Sequence, residues 1–187
     1  MTIQSLEQGN QLFIERMKKY RADFFEQCSQ GQKPEYFVIA CSDSRTDPES
    51  VTSSLPGTIF AHRNIANIVD EEDNSFRAGL YYALVALNVD AIIILGHTGC
   101  GGVKAAHEKV SQPEILPWVS LIENSLSSYP IDERTPSLEE LERHNIRVQV
   151  KNVLHHPVYI QEGNSIPVIG GLFHTESGEL EWIHMDT

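Results

Sequence analysis

Two short clusters of cysteine and histidine follow two apolar segments of this 187-residue chain. Cys41 comes directly after the apolar run 36–40, and His97 and Cys100 come shortly after the run 91–95. If both runs are neighbouring parallel strands, the clusters meet at the carboxyl ends of the strands, where open α/β sheets bind their ligands. Two thiolates and one imidazole suit zinc and leave its fourth position for water. The spacing therefore predicts a catalytic zinc site, although spacing alone leaves open that both cysteines are small buried apolar residues.

The composition limits the classes of function open to the chain. It has 26 acidic and 14 basic residues, which gives a net charge of −12. An acidic surface gains nothing from nucleic acid or from anionic membranes, so neither partner is expected. Residues 1–7 lack the pattern of a signal peptide, and no apolar run approaches the roughly 18 residues of a membrane span. Three cysteines make a poor disulfide framework. We therefore expect metal-binding thiolates in a reducing compartment, with the cytoplasm as the default location.

Hydrophobic periodicity predicts helices and strands that alternate along the chain. Helices are expected at 5–28, at 74–88, near Val103 and at 137–155, with capping-box spacing at Ser5 and Ser137. Apolar runs between turn signals predict strands at 36–41, 58–61, 91–95, 166–169 and 179–183. The segment 111–136 is rich in proline and has little periodicity, so short helices and loops are expected there. The pattern predicts one α/β domain over 1–187, with a mostly parallel central sheet flanked by helices.

Three motifs together resemble the β-class carbonic anhydrases. They are Cys-Ser-Asp-Ser-Arg at 41–45, Arg-Asn-Ile-Ala-Asn at 63–67 and Gly-His-Thr-Gly-Cys-Gly-Gly at 96–102, in the order and approximate spacing of the family. The resemblance extends from about Gln32 to Gly178. It implies reversible hydration of carbon dioxide to bicarbonate and a proton, through zinc-bound hydroxide. It also implies a homodimer or a dimer of dimers with active sites near the subunit interface, and the N-terminal helix is then expected to pack on the partner subunit.

The resemblance assigns roles to individual residues near the clusters. Cys41, His97 and Cys100 correspond to the zinc ligands, and Asp43 and Arg45 correspond to the catalytic dyad. In the open form Arg45 pairs with Asp43, which accepts a hydrogen bond from zinc-bound water or hydroxide; in the closed form Asp43 takes the fourth position on zinc. The residue chemistry agrees, because a carboxylate beside a cation stays ionised and a freed carboxylate is an adequate zinc ligand. The alternative for Asp43 and Arg45 is a surface ion pair at a strand end.

Four further residues match positions that line the substrate pocket in plant-like members of the family. They are Gln32, Phe60, Ile65 and Tyr82, and in those members the glutamine comes from the partner subunit. A small apolar pocket with one amide suits carbon dioxide, which is uncharged and offers only weak acceptors. Taken singly, Phe60 and Ile65 are better explained as core residues, and Gln32 is compatible with a loop.

Two departures from the family pattern concern regulation by bicarbonate. Members that bicarbonate switches off carry a tryptophan three residues before the first zinc ligand and a tyrosine in a late strand. This chain has Val38 and His174 at those positions. It therefore resembles the plant-like, non-switched type.

Two other functions stay open from the sequence. The same zinc site could hydrolyse carbonyl sulfide or carbon disulfide, because these molecules are also linear and apolar and the ligands do not distinguish them. The shape of the access channel and the segment 111–136 would make that distinction. The remaining possibility is a non-catalytic, zinc-stabilised dimer or regulatory module. The absence of Asp43 or Arg45 would have indicated such a module, but both residues are present.

Overall fold

The computed structural model of the chain describes residues 3–130 and 135–183. The chain divides into two compact units, residues 1–33 and 34–187. The smaller unit contains the first two helices, and the larger unit contains the strands. That both units belong to one domain remains a prediction. Among the helices of the described residues, none is both long enough and apolar enough to cross a membrane.

The smaller unit consists of α1, Ile3–Tyr20, and α2, Phe24–Ser29. The prediction of one continuous helix over 5–28 is therefore wrong, and Ser5 lies inside α1 rather than capping it. The break has a packing reason. Residues twelve positions apart in one helix are about 18 Å apart along its axis, whereas the rings of Phe13 and Phe25 meet edge to face with their centroids 5.9 Å apart.

The larger unit is built on a five-stranded sheet in the order β2-β1-β3-β4-β5. Its strands, in chain order, are Tyr36–Cys41, Ile59–Asn64, Ala91–His97, Val168–Phe173 and Leu180–Ile183. All neighbouring pairs are parallel except β4 and β5. This confirms the predicted fold class. Strands β1 and β3 are neighbours, with Tyr36 opposite Ala91, so their carboxyl ends lie side by side.

Between the strands, the described residues form six further α-helices. They are α3 to α8, at Pro48–Thr52, Asn74–Tyr81, Gly101–His107, Leu116–Leu126, Leu138–His155 and Pro157–Glu162. The predicted helix 137–155 is confirmed together with its capping box of Ser137 and Glu140. The predicted helix 74–88 is confirmed as α4, which continues as π-helix over Tyr82–Leu87. The segment 111–136 contains α6, while its residues 131–134 lie outside the described part of the chain.

Helix α7 packs on the sheet close to the carboxyl ends of β3 and β4. Period-two alternation turns Phe37 and Ile39 of β1 toward the same core, where both are fully buried. The helix approaches closely because two strand positions are glycine. A Cβ on Gly96 would lie 2.6 Å from Ile146 Cδ1, and a Cβ on Gly170 would lie 2.8 Å from Ile146 Cγ2. The polar residues of α7 thereby come within reach of the loops that follow the strands.

Candidate metal centre and active site

Cys41, His97 and Cys100 converge at the carboxyl end of the sheet. Cys41 ends β1, His97 ends β3, and Cys100 immediately precedes α5. Their ligand atoms all lie within 4.8 Å of one another, and all three residues are buried. Between His97 and Cys100 the chain reverses at Gly99, which has φ 68°, a conformation that costs glycine little. The convergence predicted from the sequence is confirmed.

His97 is oriented to coordinate through Nε2. Its Nδ1 lies 3.0 Å from the carbonyl oxygen of Thr98. Because a carbonyl only accepts, Nδ1 carries the proton in this bond and Nε2 has a free lone pair. Nε2 is buried and has no hydrogen-bond partner among the described residues. A metal ion at the cluster would complete this arrangement, since ligand histidines commonly donate their other ring N–H to a carbonyl or carboxylate.

Ionisation of one thiol of the cluster opposes ionisation of the other. A hydrogen bond from Cys100 lowers the pKa of Cys41 to about 4, against the opposing effect of burial. The same pairing raises the pKa of Cys100 well above its ordinary value. The backbone N–H of Ala66 also donates to Cys41 Sγ at 3.4 Å. Two thiolates this close repel each other unless a cation lies between them, so this donor set suits a soft or borderline dication.

Asp43 and Arg45 form an ion pair beside the cluster. Asp43 Oδ1 accepts from the backbone N–H and the Nε of Arg45, both at 2.9 Å, and Oδ2 accepts from Nη2 at 2.8 Å. These hydrogen bonds hold the pKa of Asp43 far below its ordinary value. Asp43 Oδ2 also lies 3.9 Å from His97 Nε2. An ionised carboxylate bonded to Arg45 therefore lies at the edge of the metal-ligand cluster.

Arg63 fixes the loop that carries Cys41 and Asp43. Its guanidinium donates to the carbonyl oxygen of Cys41 at 2.9 and 3.0 Å, and to that of Asp43 at 2.8 Å. It also pairs with Asp47 at 3.4 Å. Because the bonds go to backbone oxygens, they define the path of the loop independently of the side chains it presents.

A cleft of about 490 Å³ opens beside the cluster. Cys41 and Asp43 line one side of it, and Ile65, Trp118 and Val119 line the apolar side. The indole Nε1 of Trp118 donates to the carbonyl oxygen of Ile65 at 2.9 Å, which joins α6 to the segment after β2. Since α6 lies in the segment 111–136, this poorly periodic part of the sequence supplies a wall of the cleft.

The four predicted pocket residues are not all brought to this cleft. Ile65 lines it and is 48% exposed, so it is not a core residue. Phe60 is half-buried and packs against Tyr82, with ring centroids 5.7 Å apart; neither residue is among those lining the cleft. Gln32 is an exposed residue of the smaller unit. The substrate-binding roles of these residues remain predictions.

The inner face of α7 carries polar residues that the sequence analysis did not single out. Glu142, Asn145 and Gln149 are at most 2% exposed and form one stripe along the helix because they are three and four positions apart. Glu142 accepts the backbone N–H of Cys100 at 2.7 Å, and Asn145 donates to the carbonyl oxygen of Ala66 at 3.0 Å. Burial raises the pKa of Glu142 to about 7. No local signal in the sequence marks these residues, because they stand in the charged and polar stretch that forms much of α7.

Comparison with known proteins places the chain in a family. The family profile described as carbonic anhydrase matches residues 36–180. The chain belongs to the β-class carbonic anhydrases. A carbonic anhydrase of Emericella nidulans is 33% identical over 96% of this chain and 82% of that protein.

Solved structures agree with this assignment. The β-carbonic anhydrase CafA of Aspergillus fumigatus is 28% identical with a TM-score of 0.87, covering 99% of this chain and 92% of that one. A β-carbonic anhydrase of Sordaria macrospora, described as tetrameric, is 26% identical with a TM-score of 0.88, covering 99% of this chain and 98% of that one. This chain is thus a carbonic anhydrase with a Cys-His-Cys group able to hold a metal.

Proposed function

We propose that this carbonic anhydrase catalyses the zinc-dependent, reversible hydration of carbon dioxide to bicarbonate and a proton. The observation that carries the proposal is the buried Cys41-His97-Cys100 group with an ionised Asp43 at its edge. Two sulfurs and one nitrogen are a donor set that zinc accepts with its fourth position open. Bound there, zinc would supply a Lewis acid that makes water a nucleophile near neutral pH.

Asp43 is the residue that orients the attacking water. Its Oδ2 points toward the metal-ligand group, 3.9 Å from His97 Nε2, and an ionised carboxylate can only accept. It therefore accepts the O–H of the attacking water and leaves a lone pair directed at the carbon of the substrate. Arg45 holds the carboxylate in this state with three hydrogen bonds. This is the open arrangement; release from Arg45 would free Asp43 to become the fourth zinc ligand of the closed form.

The substrate approaches from the apolar side of the cleft. Ile65 supplies an apolar wall near Cys41, which suits an uncharged linear molecule. We propose that Phe60 and Tyr82, which pack together, and Gln32 contribute to the pocket in the assembled protein. The relatives described above are named carbonic anhydrases, and this favours carbon dioxide over carbonyl sulfide as the substrate.

We further propose a homodimer or a dimer of dimers in the cytoplasm. Four large apolar residues of α1 are more than 60% exposed: Ile3, Leu6, Leu12 and Tyr20. Such a surface on one helix is suited to a subunit contact. The Sordaria macrospora relative is described as tetrameric. The acidic net charge of −12 gives no reason to expect nucleic acid or a membrane as partner.

Stopped-flow measurement of carbon dioxide hydration, normalised to bound zinc, tests the proposed function. The Cys100→Ser variant should lose most of its zinc and its activity with it. Cys28→Ser is the matched control, because Cys28 is an exposed cysteine, whereas Cys41 and Cys100 are buried. Hydrolysis of carbonyl sulfide is measured in parallel. Wild type that hydrates carbon dioxide no faster than buffer, or Cys100→Ser with full zinc and activity, would refute the proposal.

A further inference from the structure

Glu142 is the one member of the α7 polar stripe that bonds to a metal-ligand residue. Its Oε1 accepts the backbone N–H of Cys100 at 2.7 Å, at the short end of the usual range for such hydrogen bonds. Its Oε2 is buried and has no hydrogen-bond partner in the described part of the chain. A buried carboxyl group with so few partners costs more free energy than an apolar side chain of similar size. Packing alone therefore does not account for a glutamate at this position.

The bond acts where the backbone of Cys100 has few other constraints. Cys100 is the N-cap residue of α5, so its own N–H takes no part in the helical hydrogen bonds, and its side chain makes no capping bond. The preceding residue, Gly99, has φ 68° and no Cβ to restrict it. Anchoring the amide of Cys100 therefore restricts the orientation of its peptide unit, and with it the range of positions open to Sγ.

The anchor is itself rigidly placed. Glu142 is one turn before Ile146 on α7, and Ile146 lies directly over Gly96 and Gly170 of the sheet. Because Gly96 adjoins His97 in β3, the same helix relates the position of Cys100 to the strand that carries the histidine ligand. A carboxylate on this helix can thus set the geometry of two ligands relative to each other.

We propose that Glu142 is a positioning residue of the metal centre, which holds the Cys100 amide from α7 and so presents Cys100 Sγ to the metal. The proposal rests on the proposed zinc site. Removing the partner that orients a ligand typically weakens metal binding about 10- to 100-fold. A glutamine side chain also offers a carbonyl oxygen that can accept a backbone N–H. The amide isostere, which keeps an acceptor oxygen, should therefore keep part of the effect.

Zinc affinity, measured by competition with a chromophoric chelator, tests the proposal without relying on activity. We expect Glu142→Leu to bind zinc about 10- to 100-fold more weakly than wild type, with Glu142→Gln between the two. Gln149→Leu is the matched control. Gln149 is fully buried on the same face, but it accepts from Val69 N–H at 2.8 Å rather than from a ligand residue. This variant should melt at a lower temperature and bind zinc within about threefold of wild type.

A second readout is the absorption of the cobalt(II)-loaded proteins. Thiolate-to-metal charge-transfer bands should weaken in Glu142→Leu and stay unchanged in Gln149→Leu. If Glu142→Leu does not fold, the comparison of Glu142→Gln with Gln149→Leu tests the proposal instead, by zinc affinity and by cobalt absorption. The proposal would be overturned if both Glu142 variants bound zinc within threefold of wild type. It would also be overturned if Gln149→Leu lost zinc as readily as Glu142→Leu. A wild type that binds no zinc would instead refute the proposed function.

Discussion

Replacing Asp43 by asparagine separates a catalytic role from a structural one. The asparagine keeps one acceptor oxygen, but it turns an NH₂ donor toward the guanidinium of Arg45, which only donates. Because the Arg45 side chain is 53% exposed, losing the pair should cost little stability. In a chain of this length, we expect the melting temperature to fall by no more than a few degrees. A purely structural ion pair would show this effect and no other.

The expected effect on turnover is much larger. The missing acceptor should reduce carbon dioxide hydration per zinc-loaded site about 100-fold or more, equivalent to about 2.7 kcal/mol of activation free energy. Stopped-flow assay, elemental analysis and a melting curve measure turnover, zinc content and stability on the same samples. Asp47→Asn is the control, since Asp47 also pairs with an arginine. Asp47 accepts the Ser50 N–H as the N-cap of α3, and asparagine caps a helix equally well. Turnover of Asp43→Asn within threefold of wild type would remove Asp43 from the mechanism.

Three more predictions concern regulation, pH and the metal. Since Val38 cannot supply an indole, bicarbonate should inhibit without cooperativity, and a steeply sigmoidal loss of activity that chloride does not reproduce would contradict this. Hydrogen bonding to Glu181, supported by Glu176, raises the pKa of His174, while Arg143 pairs with the same Glu181. The stabilisation by protonated His174 should be complete below pH ~6.5 and lost as pH rises through the higher folded-state pKa. His174→Gln should thus lower the melting temperature at pH 6 but not at pH 9; equal effects at both would refute the assignment. Chelation should abolish hydration and lower the melting temperature, and added zinc should restore both; activity that survives complete zinc removal would be the contrary result.

The metal-ligand group was predictable because its signal is local. Cys41 and His97 each follow an apolar run, and parallel neighbouring strands bring their carboxyl ends together whatever the rest of the chain does. Strand lengths were less predictable. The strand β4 continues through Gly170 and Gly171, which on their own indicate a turn, because pairing with β3 and β5 sustains the extended backbone there.

The outer part of the site was not predictable from local signals. Glu142 stands in a charged stretch at the start of α7 and has the sequence environment of a solvent-exposed residue. Only the tertiary contact with Cys100 shows that it is buried. The break after α1 was missed for a similar reason, since it depends on the contact between Phe13 and Phe25 rather than on a helix-breaking residue.

X-ray absorption at the zinc edge of the purified protein tests the central claim most directly. The account predicts one zinc per chain, with two sulfur atoms at about 2.3 Å and one histidine nitrogen at about 2.0–2.1 Å. A light oxygen or nitrogen atom should fill the fourth position. Cys100→Ser should lose one sulfur scatterer or the metal, whereas Cys28→Ser should give the wild-type spectrum. A wild-type protein without zinc, or zinc with no sulfur in its first coordination sphere, would contradict the account.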